Sequence, residues 1–598
     1  MAQLGKTSLR FLTFLLIAGF AAVSLRAQSG NQGILVLTVQ DKSGSVIPGA
    51  TLVLRDNSTN ETRRAATLEE GTYTFAGLDA GDYSLRVTKT GFRDMVYDSV
   101  VIHASRVTDL EVPLEVGAVS EKVVVRGDQT TIIETTSNVI GTTIDLQEIE
   151  FLPMDDRDPT AFTLFIPGYA NGLWDNQQHQ AEVTSVDGAI ATSSRFKAYG
   201  AMGPGTTPVG PRLQNVQEIT VQTSGLNATQ GYGQAAMQTV LSTRRGSNEF
   251  HGRAFANLQN SGLNANSWYD DYYGVPKPLY HKNDFGGSVG GPIIKDKLFF
   301  FGSYEQDMIP GKGTGAESFL TPSMQQGNYT YLGSDGNSHT VNLFTLAGAA
   351  GLQSSIDTGI AGEVSKINSS LSAGTIGTVG GADAYESKNV ELLTYHEPNN
   401  QFFYFPTFRV DYNQKQNLTY SLAFNEEKTS APTSLFPSFP GSNFSWMQDG
   451  TKSSAYTAAV GVNWVISPTL INQFQGGYLY NYAISAPKSN GYDRTHDIVW
   501  WVGPWGLNYG TAGASGDFFY STISNFYPLF SFNDNLLWQH KTHNFTFGMS
   551  FYREQDHYWN PPQGYNNVVM GMGGGDPALN VFSSSNPALA TANGNQIG

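Results

Sequence analysis

Beyond residue 250, the chain repeats segments of about ten residues in which apolar and polar side chains alternate. In the segment 418–425, Leu, Tyr, Leu and Phe alternate with Thr, Ser, Ala and Asn. Successive side chains of a strand point to opposite faces, so this period predicts strands with one apolar and one polar face. The segments 404–413 and 456–464 repeat the pattern, and Arg409 and Asp411 share a polar face. The pattern is typical of a transmembrane β-barrel, and we expect both charges to point into its lumen.

The links between these strands alternate in length. The short links are 295–296, 414–416, 467–469 and 541–543, and the long links are 259–282, 307–399, 429–452 and 485–524. Outer-membrane barrels alternate short periplasmic turns with longer extracellular loops. The two ends of a soluble sandwich are equivalent to solvent and give no reason for this order. The alternation therefore favours a membrane barrel over a secreted sandwich and predicts which end faces the periplasm.

The number of predicted barrel strands is about nine, whereas a plugged transporter barrel closes with about 22. We therefore expect the chain to be a fragment, with about 500 residues absent. Nine strands alone would leave unpaired edges that lipid cannot satisfy.

Shorter apolar runs, separated by turn residues, occupy the segment 28–118. The phrases that carry a family resemblance are Ile47–Ala50, Gly71–Phe75, Leu78–Tyr83 and Gly91-Phe92. They resemble the carboxypeptidase-regulatory-like domain, which implies an immunoglobulin-like β-sandwich without catalytic residues of its own. The segment also lacks a His and Glu pair at zinc-ligand spacing. It is therefore predicted to be an accessory module.

Residues 1–27 have the layout of a cleaved secretory signal peptide. Lys6 and Arg10 precede an apolar run from Phe11 to Val23, and Ala27 supplies a small residue at the cleavage site. The alternative is a membrane anchor, but the run is short for the roughly 20 residues that a spanning helix needs. We expect export.

The segment 119–128 contains Glu121, Lys122, Val123, Val124 and Val125, a short string that favours β structure. It resembles a TonB box, which implies pairing, as an added strand, with the periplasmic energy-coupling protein TonB. The alternative is that Val123 to Val125 complete the last strand of the preceding sandwich. Both interpretations remain open at this stage.

Residues 129–246 resemble the plug domain of TonB-dependent receptors. The phrases that carry this resemblance are Ile144–Pro153, Phe165–Gly168, Val186–Gly188, Leu213–Val221, Tyr232-Gly233, Gln238–Arg244 and Gly246–Gly252. From residue 247 to residue 598 the chain continues as barrel, and Gly286–Pro292 with Lys297–Glu305 resembles the first barrel strands of Oar-like receptors. Gly286–Pro292 is not a phosphate-binding loop, because no Lys-Ser or Lys-Thr follows at the required spacing. The predicted fold is therefore mainly β: an immunoglobulin-like β-sandwich, an α+β plug domain and an incomplete transmembrane antiparallel β-barrel.

Charge and composition exclude several classes of function. The chain has 35 basic and 51 acidic residues, for a net charge of -16, so no nucleic-acid partner is expected. It has no Cys, which excludes disulfides and thiolate metal sites. The few His residues show no catalytic spacing. We expect no enzymatic activity, no catalytic residue, no metal site and no cofactor.

These observations predict an outer-membrane receptor that takes up a ligand with energy from the TonB complex. The expected partners are TonB, outer-membrane lipid and an extracellular carbohydrate, peptide or metal chelate. The alternative is a surface or adhesion protein that uses the barrel as a scaffold for long loops. Trp500, Trp501 and Trp505 are candidates for stacking on a planar ligand, although an interfacial girdle or loop packing accounts for them too.

Overall fold

The structure is a computed structural model of the 598-residue chain. It describes residues 32–117, 122–125, 140–145, 157, 169–170, 173–174, 182–192, 209, 212–224, 237–266, 268, 271, 277, 280–310, 312–332, 336–356, 358–377, 386–398, 400–431, 440, 451–485, 498–502, 523–540, 543–555, 557–559 and 566–570. The predicted signal peptide lies outside the described residues.

The N-terminal sandwich comprises residues 33–117. Its strands are β1 Gly33–Asp41, β2 Thr51–Asp56, β3 Thr62–Ala66, β4 Thr72–Leu78, β5 Gly81–Thr88, β6 Asp94–Ile102 and β7 Val107–Leu114. A further strand, β8 Lys122–Val125, adds to one edge. One sheet has the order β4-β1-β7 and the other β3-β2-β5-β6-β8. Leu35, Leu37, Leu52 and Leu85 are fully buried between them, and the predicted sandwich is confirmed.

A second unit, the inner sheet, has the order β13-β12-β15-β14-β9. The strands of this region are β9 Ile140–Asp145, β10 Tyr169–Ala170, β11 Leu173–Trp174, β12 Glu182–Val186, β13 Ala189–Ile190, β14 Val216–Ser224 and β15 Met237–Thr243. Val186, Ile219, Val221 and Leu241 lie in its small core. Apolar residues at alternate positions of β14 account for that core.

The barrel sheet begins with β16 His251–Asn260, β17 His281–Ile294 and β18 Leu298–Ile309; a 3-10 turn, Ser261–Leu263, follows β16. Gly286 and Gly287 lie inside β17 and pair with both neighbouring strands. A Cβ at Gly286 would lie 2.9 Å from the Cα of Glu305 on β18. Glycine is therefore required here by close backbone approach, as expected for a strand rather than a phosphate loop.

A folded insertion, the outer module, lies between β18 and the next barrel strand. Its elements are β19 Lys312–Leu320, α1 Pro322–Gln325, β20 Asn328–Leu332, β21 Ser338–Asn342, α2 Leu343–Ala349, α3 Thr358–Ser370, a 3-10 turn Leu371–Ala373, β22 Thr375–Gly377, α4 Glu386–Asn389 and β23 Val390–Pro398. Phe319, Ile367, Leu393 and Tyr395 form one of its cores. The sequence predicted only a long link here.

The remaining strands are β24 Gln401–Lys415, β25 Leu418–Ala431, β26 Thr451–Ser467, β27 Leu470–Ser485, β28 Ile498–Val502, β29 Ile523–Phe526, β30 Leu529–His540, β31 His543–Glu554, β32 His557–Trp559 and β33 Asn566–Met570. The antiparallel order of the barrel sheet is β16-β17-β18-β24-β25-β26-β27-β30-β31. The short strand β29 pairs with the C-terminal end of β27, and β32 pairs with β29. Among the described residues the sheet thus has nine long strands and is not closed.

Burial along the strands follows the predicted alternation. On β24, Arg409 and Asp411 are buried, whereas Phe408, on the opposite face of the strand, is 46% exposed. On β26, Thr457 and Ala459 are buried, whereas Trp464 on the opposite face is exposed. Most apolar side chains of these segments therefore face outward and most polar ones face inward, as predicted. Exceptions on the inward face are the buried rings of Phe299, Phe301 and Phe405. Among the described helices, none has the length and apolar character needed to span a membrane.

Candidate functional site

The inner sheet touches the barrel wall through the turn between β12 and β13. Asp187 and Gly188 form this two-residue turn with positive φ angles of 49° and 82°, as an Asp-Gly hairpin turn requires. Ala189, which follows the turn, lies against Gly477 of β27. A Cβ added to Gly477 would lie only 2.7 Å from the Cα of Ala189. Small residues on both sides therefore let the turn reach the wall.

Arg409 of β24 binds this turn. Its Nη1 lies 3.0 Å from Asp187 Oδ1, and its Nη2 lies 2.9 Å from Asp411 Oδ1 on the same strand. Asp187 also accepts hydrogen bonds from the backbone N–H and the hydroxyl of Thr243. All four side chains are buried. A buried charge is tolerated only when it is paired in this way, so Arg409 ties the inner sheet to the wall.

A second ion cluster lies nearer the long-loop end of the barrel sheet. Arg212, which precedes the turn that leads into β14, reaches Glu305 at 2.8 Å and Asp307 at 2.9 Å on β18. Arg157 contacts Asp284 at 3.1 Å and Glu305 at 3.4 Å. The guanidinium of Arg212 also lies 4.3 Å from the Phe405 ring centroid. This cluster is the second buried attachment of the inner region to the wall.

The carboxylates of Asp284, Glu305 and Asp307 lie close enough to share a metal ion, with ligand atoms within 4.8 Å of one another. Carboxylate oxygens are the ligands that Ca²⁺ and Mg²⁺ prefer. Arg157, Arg212 and Lys282 already supply three positive charges to these three negative ones. We therefore assign the cluster to ion pairing, and the expectation that the chain has no metal site stays a prediction.

The N-terminal sandwich meets the barrel at Arg245, which precedes β16. The guanidinium lies 2.9 Å from Asp56 and 2.7 Å from Asp79. Burial by itself would raise the pKa of Asp56, but the Arg245 charge and hydrogen bonds from Ser58 more than offset it and lower the pKa. The pKa of Asp79 is lowered in the same way, by Arg245 and other arginines against burial. Both carboxylates are therefore ionised partners of Arg245 at neutral pH.

The predicted TonB-binding segment is described from Lys122 to Val125, and Glu121 lies outside the described residues. Lys122 to Val125 form β8, which pairs in parallel with Asp94 to Tyr97 of β6. The segment therefore extends a sheet of the sandwich, and β8 is the edge strand. Whether it also binds TonB stays a prediction.

The predicted stacking residues are only partly described. Trp500 and Trp501 lie on β28, which pairs in parallel with β33, outside the barrel sheet. Trp505 lies outside the described residues. Their role in binding a ligand stays a prediction.

The ion pairs that hold the inner sheet were mostly missed by sequence reasoning. Arg409 and Asp411 were predicted to face inward, but their partner Asp187 was noted only as part of a family-like phrase. Glu305 and Asp307 carried a usable signal, because they occupy the inward positions of β18 together with Phe299 and Phe301. Charged residues at such positions need buried partners.

The model of the outer membrane beta barrel domain matches residues 242–588, more than half of the chain. The chain belongs to this outer membrane β-barrel family. The match includes all nine long strands of the barrel sheet. A second model, the carboxypeptidase regulatory-like domain, matches residues 34–115, which form the N-terminal sandwich. The protein is therefore an outer-membrane barrel protein with an immunoglobulin-like domain at its N-terminal side. Barrels of the outer membrane generally place their short turns on the periplasmic side, and that orientation stays a prediction for this chain.

Among curated proteins, this barrel protein is similar to the TonB-dependent transporter Oar of Myxococcus xanthus. The two are 26% identical over 279 residues, which cover 43% of this chain and 25% of the relative. Similar solved structures are a ferric enterobactin receptor of Pseudomonas aeruginosa and the outer membrane transporter YddB of Escherichia coli. Each has 11% identity, a TM-score of 0.39 and 69% coverage of this chain, with 49% and 47% of their own chains covered. The chain thus spans a quarter of the curated relative and about half of these structures.

Proposed function

We propose that the protein takes up a ligand across the outer membrane in a TonB-dependent way, with the inner sheet acting as the plug of the barrel. The observation that carries this proposal is the attachment of the inner sheet to the inward face of the barrel sheet by Arg409 and Arg212. Such an attachment blocks the lumen until it is broken. The similarity to the transporter Oar supports the same function.

In this proposal, the ligand binds on the long-loop side and TonB binds the segment 121–125 in the periplasm. Force on that segment is passed along the chain to the inner sheet, whose first strand, β9, begins at Ile140. The ion pairs of Arg409 and Arg212 then break, and the sheet moves away from the wall. No covalent chemistry is required, because the work is mechanical.

The position of β8 supports the segment as the TonB contact. Its pairing with β6 uses one edge of the strand, and among the described residues no strand pairs with the other edge. An edge strand offers unpaired N–H and C=O groups to an incoming strand of any sequence. Residues 122–125 therefore suit strand addition.

The test is binding of the purified periplasmic domain of TonB to the full chain in outer-membrane vesicles. Val124→Pro removes a backbone N–H and is expected to weaken binding at least about tenfold. Val124→Ala retains the N–H and serves as the matched control, with binding close to that of the unaltered protein. Undiminished binding by Val124→Pro would remove the support for coupling through this segment.

The ligand that we propose is a planar or ring-containing molecule, a carbohydrate or a metal chelate, stacked on the Trp residues near β28; a peptide is the other class expected from the sequence. Replacing Trp500, Trp501 and Trp505 together with Ala is expected to weaken ligand uptake. Loss of stacking on three rings corresponds to at least about a tenfold change, since each aromatic contact contributes about 0.5–1.5 kcal/mol. Uptake assays with candidate sugars, chelates and peptides measure it. Unchanged uptake of every transported compound would exclude the stacking role.

A further inference from the structure

The N-terminal sandwich lies across the periplasmic rim of the barrel sheet. On one side, the backbone N–H of Asn248 donates to Ser58 O at 3.0 Å, and Asn60 donates to Asp296 in the turn between β17 and β18. Asn248 also joins the two parts, because its side chain donates to Thr59 O and to Asp296. The sandwich is thus held at the first barrel strands.

The opposite side of the sandwich contacts strands that come much later in the chain. Gln539 of β30 accepts a hydrogen bond from the backbone N–H of Thr74 at 3.2 Å. The side chain of Asn463, on β26, donates to the carbonyl of Gly77. The sandwich therefore bridges the rim from β16 to β30 and covers the inward residues there; Asn463 is 4% exposed and Gln539 is 9% exposed.

The contacts named above between the sandwich and the rim are polar. The named contacts are hydrogen bonds together with the two ion pairs of Arg245, whereas the apolar side chains of the sandwich pack in its own core. A domain with its own core loses little internal packing when it leaves such an interface, and polar interfaces within a chain permit relative motion. Separation exposes Arg245, Asp56 and Asp79 to water, which solvates all three charges.

We infer that the N-terminal sandwich is a periplasmic gate, locked onto the barrel rim by Arg245 with Asp56 and Asp79, and that it must leave the rim before a ligand can pass. The gating role rests on the proposed uptake function, but the docking itself does not. The sandwich docks on the barrel rim of the same chain. Because β8 extends a sheet of the sandwich, force applied to residues 122–125 also acts on the gate.

The absence of Cys from the chain permits a test by single cysteines. Gln539→Cys places a thiol beneath the sandwich, and Lys42→Cys places one at a position whose side chain is 72% exposed. In outer-membrane fragments, a charged maleimide is expected to label the Gln539→Cys protein at least about tenfold more slowly than the Lys42→Cys protein. Equal rates would show that the sandwich is not docked, and would overturn the inference.

The lock is tested by adding Arg245→Gln to each of these variants. Loss of a buried partner charge is expected to speed labelling of the Gln539→Cys protein at least about tenfold and to leave the Lys42→Cys rate unchanged. If Arg245→Gln prevents assembly, Asp79→Asn weakens the same lock from the sandwich side. Labelling that stays slow in an assembled Arg245→Gln or Asp79→Asn protein would overturn the role of the lock.

The gating step is tested by labelling in cells that have or lack TonB. We expect faster labelling of the Gln539→Cys protein only where TonB is present, and no acceleration when Val124→Pro is added. If TonB binds through residues 121–125 but labelling never responds to it, the gate is wrong and the proposed function stands. If Val124→Pro leaves TonB binding intact while Gln539 is still covered, the proposed coupling fails and the docking stands.

Discussion

Replacement of Arg212 with methionine is expected to detach the inner sheet from the barrel wall. Arg212 is 4% exposed and neutralises Glu305 and Asp307, so its removal leaves buried carboxylates with too little positive charge. Removing one partner of a buried ion pair costs about 3–5 kcal/mol. Methionine retains apolar contact with the Phe405 ring, which isolates the effect of charge.

Hydrogen exchange of the backbone amides in β14 and β15 measures the detachment. Since about 1.4 kcal/mol corresponds to a factor of ten, exchange through opening is expected to speed up by about a hundredfold to several thousandfold. Adding Glu305→Gln should restore part of the protection, because one uncompensated carboxylate is then removed. This partial rescue distinguishes charge imbalance from a general loss of packing.

Arg86→Met is the matched control for the Arg212 variant. Arg86 also pairs with a carboxylate, Asp94, but its side chain is 58% exposed. An exposed ion pair contributes about 0–1 kcal/mol. An effect of Arg212→Met no larger than that of Arg86→Met would contradict the attachment of the inner sheet by buried charges.

Replacement of Val460 with arginine is expected to destabilise the barrel sheet by about 2–4 kcal/mol, because its side chain lies on the outward face near the middle of β26. Its neighbours Thr457 and Ala459 are buried on the inward face. An arginine facing lipid at the midplane has no partner for its charge. The free energy of unfolding of the lipid-reconstituted protein, measured in urea, reports the loss.

Val460→Leu, which retains an apolar side chain, is the control for the lipid-facing position and should change stability little. Arg409 is an arginine in the opposite environment, because it faces inward and its charge is paired with Asp187 and Asp411. If Val460→Arg unfolds at the same urea concentration as Val460→Leu, the outward face of β26 does not contact lipid.

Much of the architecture was predictable because its signals are local. The alternation in 418–425 and 456–464 predicted strands and the sides of those strands, and turn residues predicted the sandwich. Gly71 is an example. Its φ of 70° is a backbone conformation that glycine adopts readily, so the glycine in the sequence marks the turn without reference to any distant residue. The outer module was not predicted, because β19 pairs with β23, which lies about 70 residues later in the chain.

The sequence by itself determined that the chain is a β protein, that its barrel strands have one apolar face, and that Arg409 and Asp411 point inward. Only the tertiary structure decided which charges meet. Asp187 and Arg409 are separated by 222 residues, and Asp56 and Arg245 by 189. Periodicity reports the environment of a side chain, whereas the identity of its partner depends on how distant segments are placed. For that reason the ion pairs of the inner sheet and the docking of the sandwich on the barrel rim became apparent only in the folded chain.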